Sequence, residues 1–386
     1  MRILLVMTNV LFVCVGNAGR SQMARAFFVD LGWPVRAAGT RPAARLDPNA
    51  VEAMREVGLD LGGGVPRRIT RDDVEWADVV VRMNCGDGCP DLPGRTYLDW
   101  PIEDPAGKGA DETRAIRDEI GRRVGGLVAD LRVQGSGYLR HGFADCYDSH
   151  RPRPPAALLE LLTRYAGVQR PALVVDLGSG TGLSAELWAD RARRVVGVEP
   201  NPAMREVAAA RAPRNVSYAG THAAETGIDS GAADVVTASQ SFHWMAPELT
   251  LAEIARVLRP GGVFAAYDYE WPPTVHPEVD AAWQAVMTRT LNKQGRDRKA
   301  GHLERLRTSG RFRYVREVLL HSEEAGGVER AVASAWTHGP VAKRLESGEW
   351  TADAIGLTRL REVAERELGD RIVPFVYSYR VRLGVV

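Results

Sequence analysis

Twice in this chain an aliphatic run ends in a glycine-rich turn that opens a helical pattern. The first is Val10-Leu11-Phe12-Val13, then Cys14-Val15-Gly16-Asn17-Ala18-Gly19-Arg20-Ser21, then Gln22 to Phe28. The second is Leu173-Val174-Val175-Asp176, then Leu177-Gly178-Ser179-Gly180-Thr181-Gly182, then Leu183 to Ala189. A short strand that is apolar on both faces must be covered on both, as in a parallel sheet between helix layers. Two such units within 386 residues exceed a single core. They predict an α/β chain of two doubly wound domains. Ligand sites then fall at the carboxyl ends of the strands, where both turns lie.

The remaining composition excludes several classes. Hydrophobic residues at 45% and charged residues at 26% are ordinary for a globular protein. A formal net charge of +1 calls for neither nucleic acid nor an anionic membrane surface. Apart from the N-terminal run, no stretch approaches the ~18 apolar residues of a membrane span. Arg2 followed by Ile3 to Val15 has the outline of a secretory leader, but Asn9 interrupts it, and cleavage near Ala18 would destroy the turn after Cys14. A buried first strand accounts for the same residues. Cys14, Cys85, Cys89 and Cys146 are too few for a disulfide scaffold. They suit reactive thiols in a reducing compartment, so the chain is expected to be cytoplasmic.

In the first unit a thiol meets an anion cradle. Backbone N–H groups and the helix dipole gather at a helix N-terminus, which favours a thiolate and binds anions. Arg20 adds a fork of donors suited to a tetrahedral oxyanion. Further elements are expected at Pro34–Thr40 (strand), Asn49–Val57 (helix), Asp73–Ala77 (short helix), Asp78–Met83 (strand) and Glu112–Leu131 (helix). Their order brings Met83–Pro90 and Trp100–Lys108 to the turn after Cys14. Cys85 and Cys89 bracket a glycine-rich loop and read as redox thiols, as buried structural cysteines or as zinc ligands. No second Cys/His pair lies nearby for zinc, and no metal is expected.

Cys14 to Ser21 fits the C-x5-R-S loop of low-molecular-weight protein tyrosine phosphatases. The longer run Val13 to Ala24 more closely resembles the arsenate reductases built on that fold. The resemblance covers roughly residues 10–132 through Ala38-Gly39-Thr40, Trp76 to Val80, Cys85 to Pro90 and Asp104 to Lys108. It implies that Cys14 is the nucleophile, that Arg20 and the loop amides hold the oxyanion, and that Asn17 braces the loop. It further implies that Ser21 hydrogen-bonds the Cys14 thiolate and that Asp104 is the general acid. Cys85 would attack the nucleophile's sulfur and expel arsenite. Cys89 would carry the disulfide to thioredoxin or a similar thiol. Gly16 agrees instead with the phosphatases, since many of the reductases have His there. Ala106-Gly107 agrees with a small oxyanion, because tyrosine phosphatases usually place an aromatic after the Asp-Pro.

The first domain is expected at 1–133, a linker at 134–140 around Gln134-Gly135-Ser136-Gly137, and the second domain at 141–386. Its glycine turn is followed by a second strand, Val195–Val198, ending at Glu199, where an acid binds ribose hydroxyls. The D-x-G-x-G-x-G pattern resembles class I S-adenosylmethionine-dependent methyltransferases rather than the G-x-G-x-x-G of NAD domains. Ala223-Ala224-Glu225, Ala233 to Ala238 and Leu258 to Phe264 follow that family's order. Gln240-Ser241-Phe242-His243-Trp244 is similar to a segment of the subgroup that includes trans-aconitate methyltransferases. The resemblance implies S-adenosyl-L-methionine as cofactor. Gly178, Gly180 and Gly182 would approach its methionine part and Asp176 would orient the loop. Glu199 would bind both ribose hydroxyls, Ala224 and Glu225 would contact adenine, and Ser239 and Gln240 would wall the sulfonium.

His243 reads either as a base or as part of an aromatic cluster with Phe242 and Trp244. His222, His302 and His338 read as structural or surface residues. Residues 267–386 are expected to hold a helix at Asp280–Leu291, a final strand at Val376–Leu383 and the acceptor pocket. The cysteine trio of arsenite methyltransferases is absent, with Cys146 alone in this half. The expected whole is a bifunctional enzyme that reduces arsenate to arsenite through a disulfide relay and methylates a small acceptor, with arsenic detoxification as one link between the two. The alternatives are a protein tyrosine phosphatase fused to a small-molecule methyltransferase, or an oxyanion-sensing domain that gates the methyltransferase.

Overall fold

The computed structural model describes residues 8–31, 33–61, 63–135, 151–290, 299, 301–346, 348 and 350–386. It divides into two compact units, Met1–Val128 and Ala129–Val386. The first runs β1 (Val10–Cys14), α1 (Arg20–Asp30), β2 (Val35–Gly39), α2 (Pro48–Glu56), α3 (Arg71–Trp76), β3 (Val79–Arg82), β4 (Thr96–Asp99) and α4 (Ala110–Gly135). Its sheet is parallel throughout, in the order β2-β1-β3-β4. The central strand is sealed on both faces, with Val10 to Val13 at 0% exposure. Its last residue, Cys14, therefore emerges between the ends of β2 and β3.

Local sequence explains the helix starts. Asp47 accepts the N–H groups of Asn49 and Ala50, with Pro48 in the first turn of α2. Thr70 and Asp73 form a reciprocal capping box, which starts α3 at Arg71, two residues before the expected point. On α4, Ile116, Ile120, Val124, Leu127 and Leu131 are all buried, as helical spacing requires. The helix continues to Gly135, so the first two residues of the expected linker are helical. The other linker residues, 136–140, and Cys146 lie outside the described residues. β4 was not expected. It is a four-residue edge strand, exposed at both ends, with no apolar alternation to announce it.

The second unit runs α5 (Ala157–Tyr165), β5 (Leu173–Leu177), α6 (Leu183–Leu187), β6 (Arg194–Val198), α7 (Pro202–Ala210), β7 (Val216–Ala219), β8 (Ala233–Ser239), α8 (Pro247–Val257) and β9 (Leu258–Tyr269). It continues with α9 (Pro277–Thr290), α10 (His302–Thr308), β10 (Tyr314–Gly326), α11 (Val328–Trp336), α12 (Gly339–Glu346), α13 (Ala352–Ile355), α14 (Leu357–Leu368) and β11 (Val373–Val385). The seven strands lie in the order β10-β11-β9-β8-β5-β6-β7. They are parallel except that β11 runs antiparallel to β9 and β10 antiparallel to β11.

Along β5, Val174 enters one hydrophobic core while Leu173, Val175 and Leu177 enter the other. From β5 the chain winds outward through β6 and β7, then returns on the opposite side at β8. That reversal makes the β5/β8 boundary the switch point where open α/β sheets bind ligands. The final strand is longer than expected, beginning at Val373. β10 went unseen because its polar and charged residues suit an edge.

Phe28 is fully buried and packs edge-on to Phe12 at 5.4 Å and against Trp33 at 6.0 Å. Phe28→Ala is expected to cost about 3–5 kcal/mol. Urea denaturation followed by tryptophan fluorescence reads it as an earlier midpoint.

Candidate active sites

Around Cys14, each polar atom has an assigned use. Cys14 Sγ lies 3.1 Å from Ser21 Oγ and accepts the Asn17 N–H at 3.2 Å. Asn17 is fully buried, with φ of 49°, a left-handed conformation that Asn tolerates better than most residues. Its Nδ2 donates to Ser21 Oγ at 2.8 Å, leaving the Ser21 hydroxyl proton to point at Cys14. Its Oδ1 accepts from Gln22 Nε2 at 3.2 Å and from the Arg67 N–H at 2.9 Å. The sulfur is thereby an acceptor of two hydrogen bonds. The end of β2 presses on the same loop. A Cβ at Gly39 would sit 2.6 Å from Val15 O and 2.9 Å from Asn17 N, so only glycine fits.

Arg20 and Asp104 also meet. Arg20 is 3% exposed. One arm donates to Ile102 O at 3.0 Å and the other is ion-paired with Asp104 Oδ2. The Asp104 side chain is half-exposed, at 51%. Asn84 Nδ2 donates to the same Ile102 carbonyl at 2.9 Å. A Cβ at Gly19 would lie 2.6 Å from Pro105 Cγ, so Gly19-Arg20 and Asp104-Pro105 form one closely fitted junction.

Cys85 and Cys89 flank a short 3-10 turn, Gly86–Gly88. Cys85 is buried among Leu11, Val13, Ala38 and Val80, while Cys89 is part-buried. A hydrogen bond from Cys89, with help from the Arg82 charge and against burial, lowers the Cys85 thiol to about 7. The same bond and burial raise Cys89. Thr40 ties this loop to β1: its N–H reaches Cys14 O at 3.1 Å and its hydroxyl donates to Cys85 O at 3.3 Å. Cys14, Cys85 and Cys89 are all free thiols. Among the described residues, no group of three or more His, Cys, Asp or Glu could hold a metal ion.

The second site lies at the β5/β8 switch point. Gly178, Gly180 and Gly182 all have positive φ, at 64°, 56° and 94°. A Cβ at Gly182 would strike the Tyr218 hydroxyl, whereas one at Gly180 would meet none of the described residues within 4 Å. The loop thus leaves an open face at its centre. Asp176 is fully buried beneath it. Its Oδ1 accepts from Thr237 Oγ1 at 2.7 Å and Ser184 Oγ at 3.2 Å, while its Oδ2 has no partner among the described residues. Burial pushes this carboxyl up to about 7. Glu199 accepts the N–H of Gly180 and of Asn201, each at 2.8 Å, and burial raises its carboxyl too. Ala224 is buried and Glu225 exposed in a turn closed by Glu225 N–H to His222 O at 2.9 Å. Ser239 ends β8, and Gln240 follows with φ of 52° and its N–H on Tyr267 O at 2.9 Å.

Several residues around these sites were not singled out from sequence. Thr40, Ile102 and Asn84 act through backbone carbonyls that no side-chain pattern reveals. Gln22 and Ser184 lay inside the motifs themselves and carried a readable signal. Thr237 sits inside β8, four residues ahead of Ser241.

A family model for low molecular weight phosphotyrosine protein phosphatases matches residues 9–136, and one for a methyltransferase domain matches residues 175–266. Arsenate reductase 1 of Staphylococcus haemolyticus is 37% identical over 122 residues, covering 30% of this chain and 91% of the relative. An arsenate reductase of Brevibacillus brevis is 38% identical over 122 residues, with 30% and 90% covered. A solved structure assigned to the type II methyltransferases, from Anaeromyxobacter dehalogenans, aligns with a TM-score of 0.51 at 26% identity, covering 61% of this chain and 97% of that one.

Two outcomes follow from the first site. Gly39→Ala is expected to distort the Asn17 loop and weaken phosphate or arsenate binding, measured by calorimetry. The Cys85 thiolate, followed by ultraviolet absorbance, is expected to appear as pH rises through about 7. Cys89→Ala moves that step upward, since the bond from Cys89 is the largest support for the thiolate.

Proposed function

Because the chain belongs, through its first domain, to the arsenate reductases of the low-molecular-weight phosphatase fold and continues into a methyltransferase domain, we propose that it reduces arsenate to arsenite by a thiol relay and transfers methyl groups from S-adenosyl-L-methionine. It is an enzyme of both kinds. Cys14 attacks the arsenic of an arsenate held by Arg20 and the loop amides, and an S–As bond forms. Asp104 protonates the departing oxygen, which leaves as water. The arsenate takes over the Arg20 donors that Asp104 otherwise occupies, which frees Asp104 for this task. Cys85 then attacks Cys14 Sγ. An S–S bond forms, the S–As bond breaks with its electron pair on arsenic, and arsenite departs. Cys89 displaces Cys14 from that disulfide, and an external dithiol of the thioredoxin type reduces the Cys85–Cys89 bond.

One observation supports reduction over plain hydrolysis. The thiol lowered to about 7 is Cys85, beside Cys89 and linked through Thr40 to the Cys14 strand. A phosphatase uses only Cys14, Arg20 and Asp104 and leaves that pair idle. Gly16 does not argue strongly for hydrolysis, because a Cβ there would find its nearest neighbours at 3.9 and 4.0 Å. The free thiols suit a cytoplasmic setting. No helix among the described residues is long and apolar enough to cross a membrane. Arsenic detoxification is the role we attach to the fusion.

The second site fits the cofactor. Gly180 leaves open space over the loop, the buried Glu199 carboxylate is aimed by two amides, and Asp176 Oδ2 awaits a donor. Glu199 would hold the ribose hydroxyls, with Ala224 and Glu225 beside the adenine and Asp176 steadying the loop. When bound, S-adenosyl-L-methionine supplies an electrophilic methyl group. Positioning by Gly178, Ser239 and Gln240 would carry much of the rate.

Thioredoxin-coupled arsenate reduction is expected to vanish in Cys85→Ser and Cys89→Ser, while arsenate still protects Cys14 from alkylation. Aryl-phosphate hydrolysis that survives both changes, without arsenate reduction, would identify a phosphatase instead. Asp104→Asn is expected to lower the rate of the first step by about 10²-fold or more. Glu199→Ala is expected to weaken S-adenosyl-L-methionine about 10- to 100-fold by calorimetry, the worth of a charge-assisted hydrogen bond.

A further inference from the structure

Beyond β8 the chain makes a 3-10 turn, Phe242–Trp244, pressed against the glycine loop. Ser241 donates its hydroxyl to Leu177 O at 2.6 Å. A Cβ at Gly178 would lie 2.6 Å from Ser241 Cβ and 3.2 Å from Met245 Cε. His243 sits between those two contacts. Its Nδ1 is 3.7 Å from Oδ1 of Asp268, the penultimate residue of β9. Asp268 is 4% exposed. Arg382 of β11 donates to its Oδ2 at 2.8 Å, which leaves Oδ1 facing His243 and Lys299, the latter at 3.1 Å. Lys299 also donates to Gln240 Oε1 at 2.8 Å, and Gln240 Nε2 is buried with no partner among the described residues.

A buried charge cluster beside a left-handed Gln240 is a costly arrangement for fold stability alone. Its placement at the strand ends, against the cofactor loop, gives it a use. Three histidines come together there, and they differ. His302 of α10 lies with its ring 6.4 Å from that of His243, is fully buried, and has no partner on either nitrogen among the described residues. Burial holds it down to about 4. His338, between α11 and α12, is also held well below its ordinary value, by burial and then by Arg151 and Lys299. Both stay neutral at neutral pH. His243 has the carboxylate. Burial opposes ionisation of Asp268, but Lys299, His243, His302 and Arg382 outweigh it and keep the carboxyl below its usual range. Glu317 of β10 completes the surroundings by pairing with Arg382 at 3.1 Å.

We propose that His243, oriented by Asp268, takes a proton from the methyl acceptor, and that the acceptor is a small molecule bearing a neutral hydroxyl. The proposal rests on the methyltransferase reading of this domain. A carboxylate, a thiolate, arsenite or a free amine enters with an electron pair ready for the methyl carbon. A hydroxyl must shed its proton as the bond forms, because the protonated ether is too acidic to accumulate. In the balanced step an oxygen lone pair forms the new O–CH3 bond. The S–CH3 bond breaks with its pair on sulfur, giving a neutral thioether. The hydroxyl proton passes to His243 Nε2, and the imidazolium so formed is stabilised by Asp268 across Nδ1.

Two measurements test this on the full chain. In histidine-labelled protein without cofactor, an NMR titration follows His243. Asp268→Asn is expected to lower its midpoint by about one pH unit, since the carboxylate favours the imidazolium. Asp268→Glu is expected to restore it. An unmoved midpoint overturns the dyad. Calorimetry then sets S-adenosyl-L-methionine binding, expected to be unchanged in His243→Gln. Methyl transfer is assayed with catechol, benzoate, dithiothreitol and arsenite. Catechol methylation that falls about 10²- to 10⁴-fold in His243→Gln, with its acid limb flattened, supports the proposal. Transfer to the other three alone, transfer to none while cofactor binds, or catechol methylation indifferent to His243 overturns it. A wild-type chain that does not bind the cofactor sinks the methyltransferase reading and this proposal with it.

Discussion

A strand sealed on both faces has only its end left for chemistry, and both sites obey that constraint. Val10 to Val13 are fully buried, and the strand ends at Cys14, where the turn begins. β5 is likewise closed on both sides, and its last polar residue, Asp176, lies beneath the glycine loop. Parallel strands point the same way, so neighbouring strand ends gather on one edge of each sheet. Gly39, Arg82 and Cys14 meet on the first edge, and Leu177, Val198 and Ser239 on the second. The rest of each domain holds those edges still.

Within the first domain, the edge is made specific by backbone carbonyls. Ile102 O takes a donor from Arg20 and another from Asn84, so the start of α1 and the thiol-bearing loop share one acceptor. Thr40 does the same between Cys14 O and Cys85 O. These links tie Cys14 and the Cys85 loop to one sheet edge. The ion pair of Arg20 with Asp104 joins the same edge to the segment after Ile102.

In the second domain the buried charges are distributed unevenly. Asp176 and Glu199 are carboxyls raised by burial, beneath and beside the glycine loop. Asp268 is a carboxyl held low by cations, beside the histidines. Raised acids at a glycine loop, and a lowered acid next to an imidazole, are two different settings of one residue type. Environment separates them.

The sequence by itself determined the two α/β sheets and the position of both glycine-rich loops. Unbroken aliphatic runs, glycines at turns and an acid at a strand end are local signals, and each reflects a local constraint on backbone and burial. What tertiary structure alone decided was which distant residues share an acceptor. β4 and β10 were hidden because edge strands bury too little to show a pattern. Thr40, Asn84 and Ile102 were hidden because their bonds run through carbonyls that every residue has. Asp268 and Lys299 were hidden because their meaning is relational: only when the chain folds back through β9 and β11 does a carboxylate come within 3.7 Å of His243.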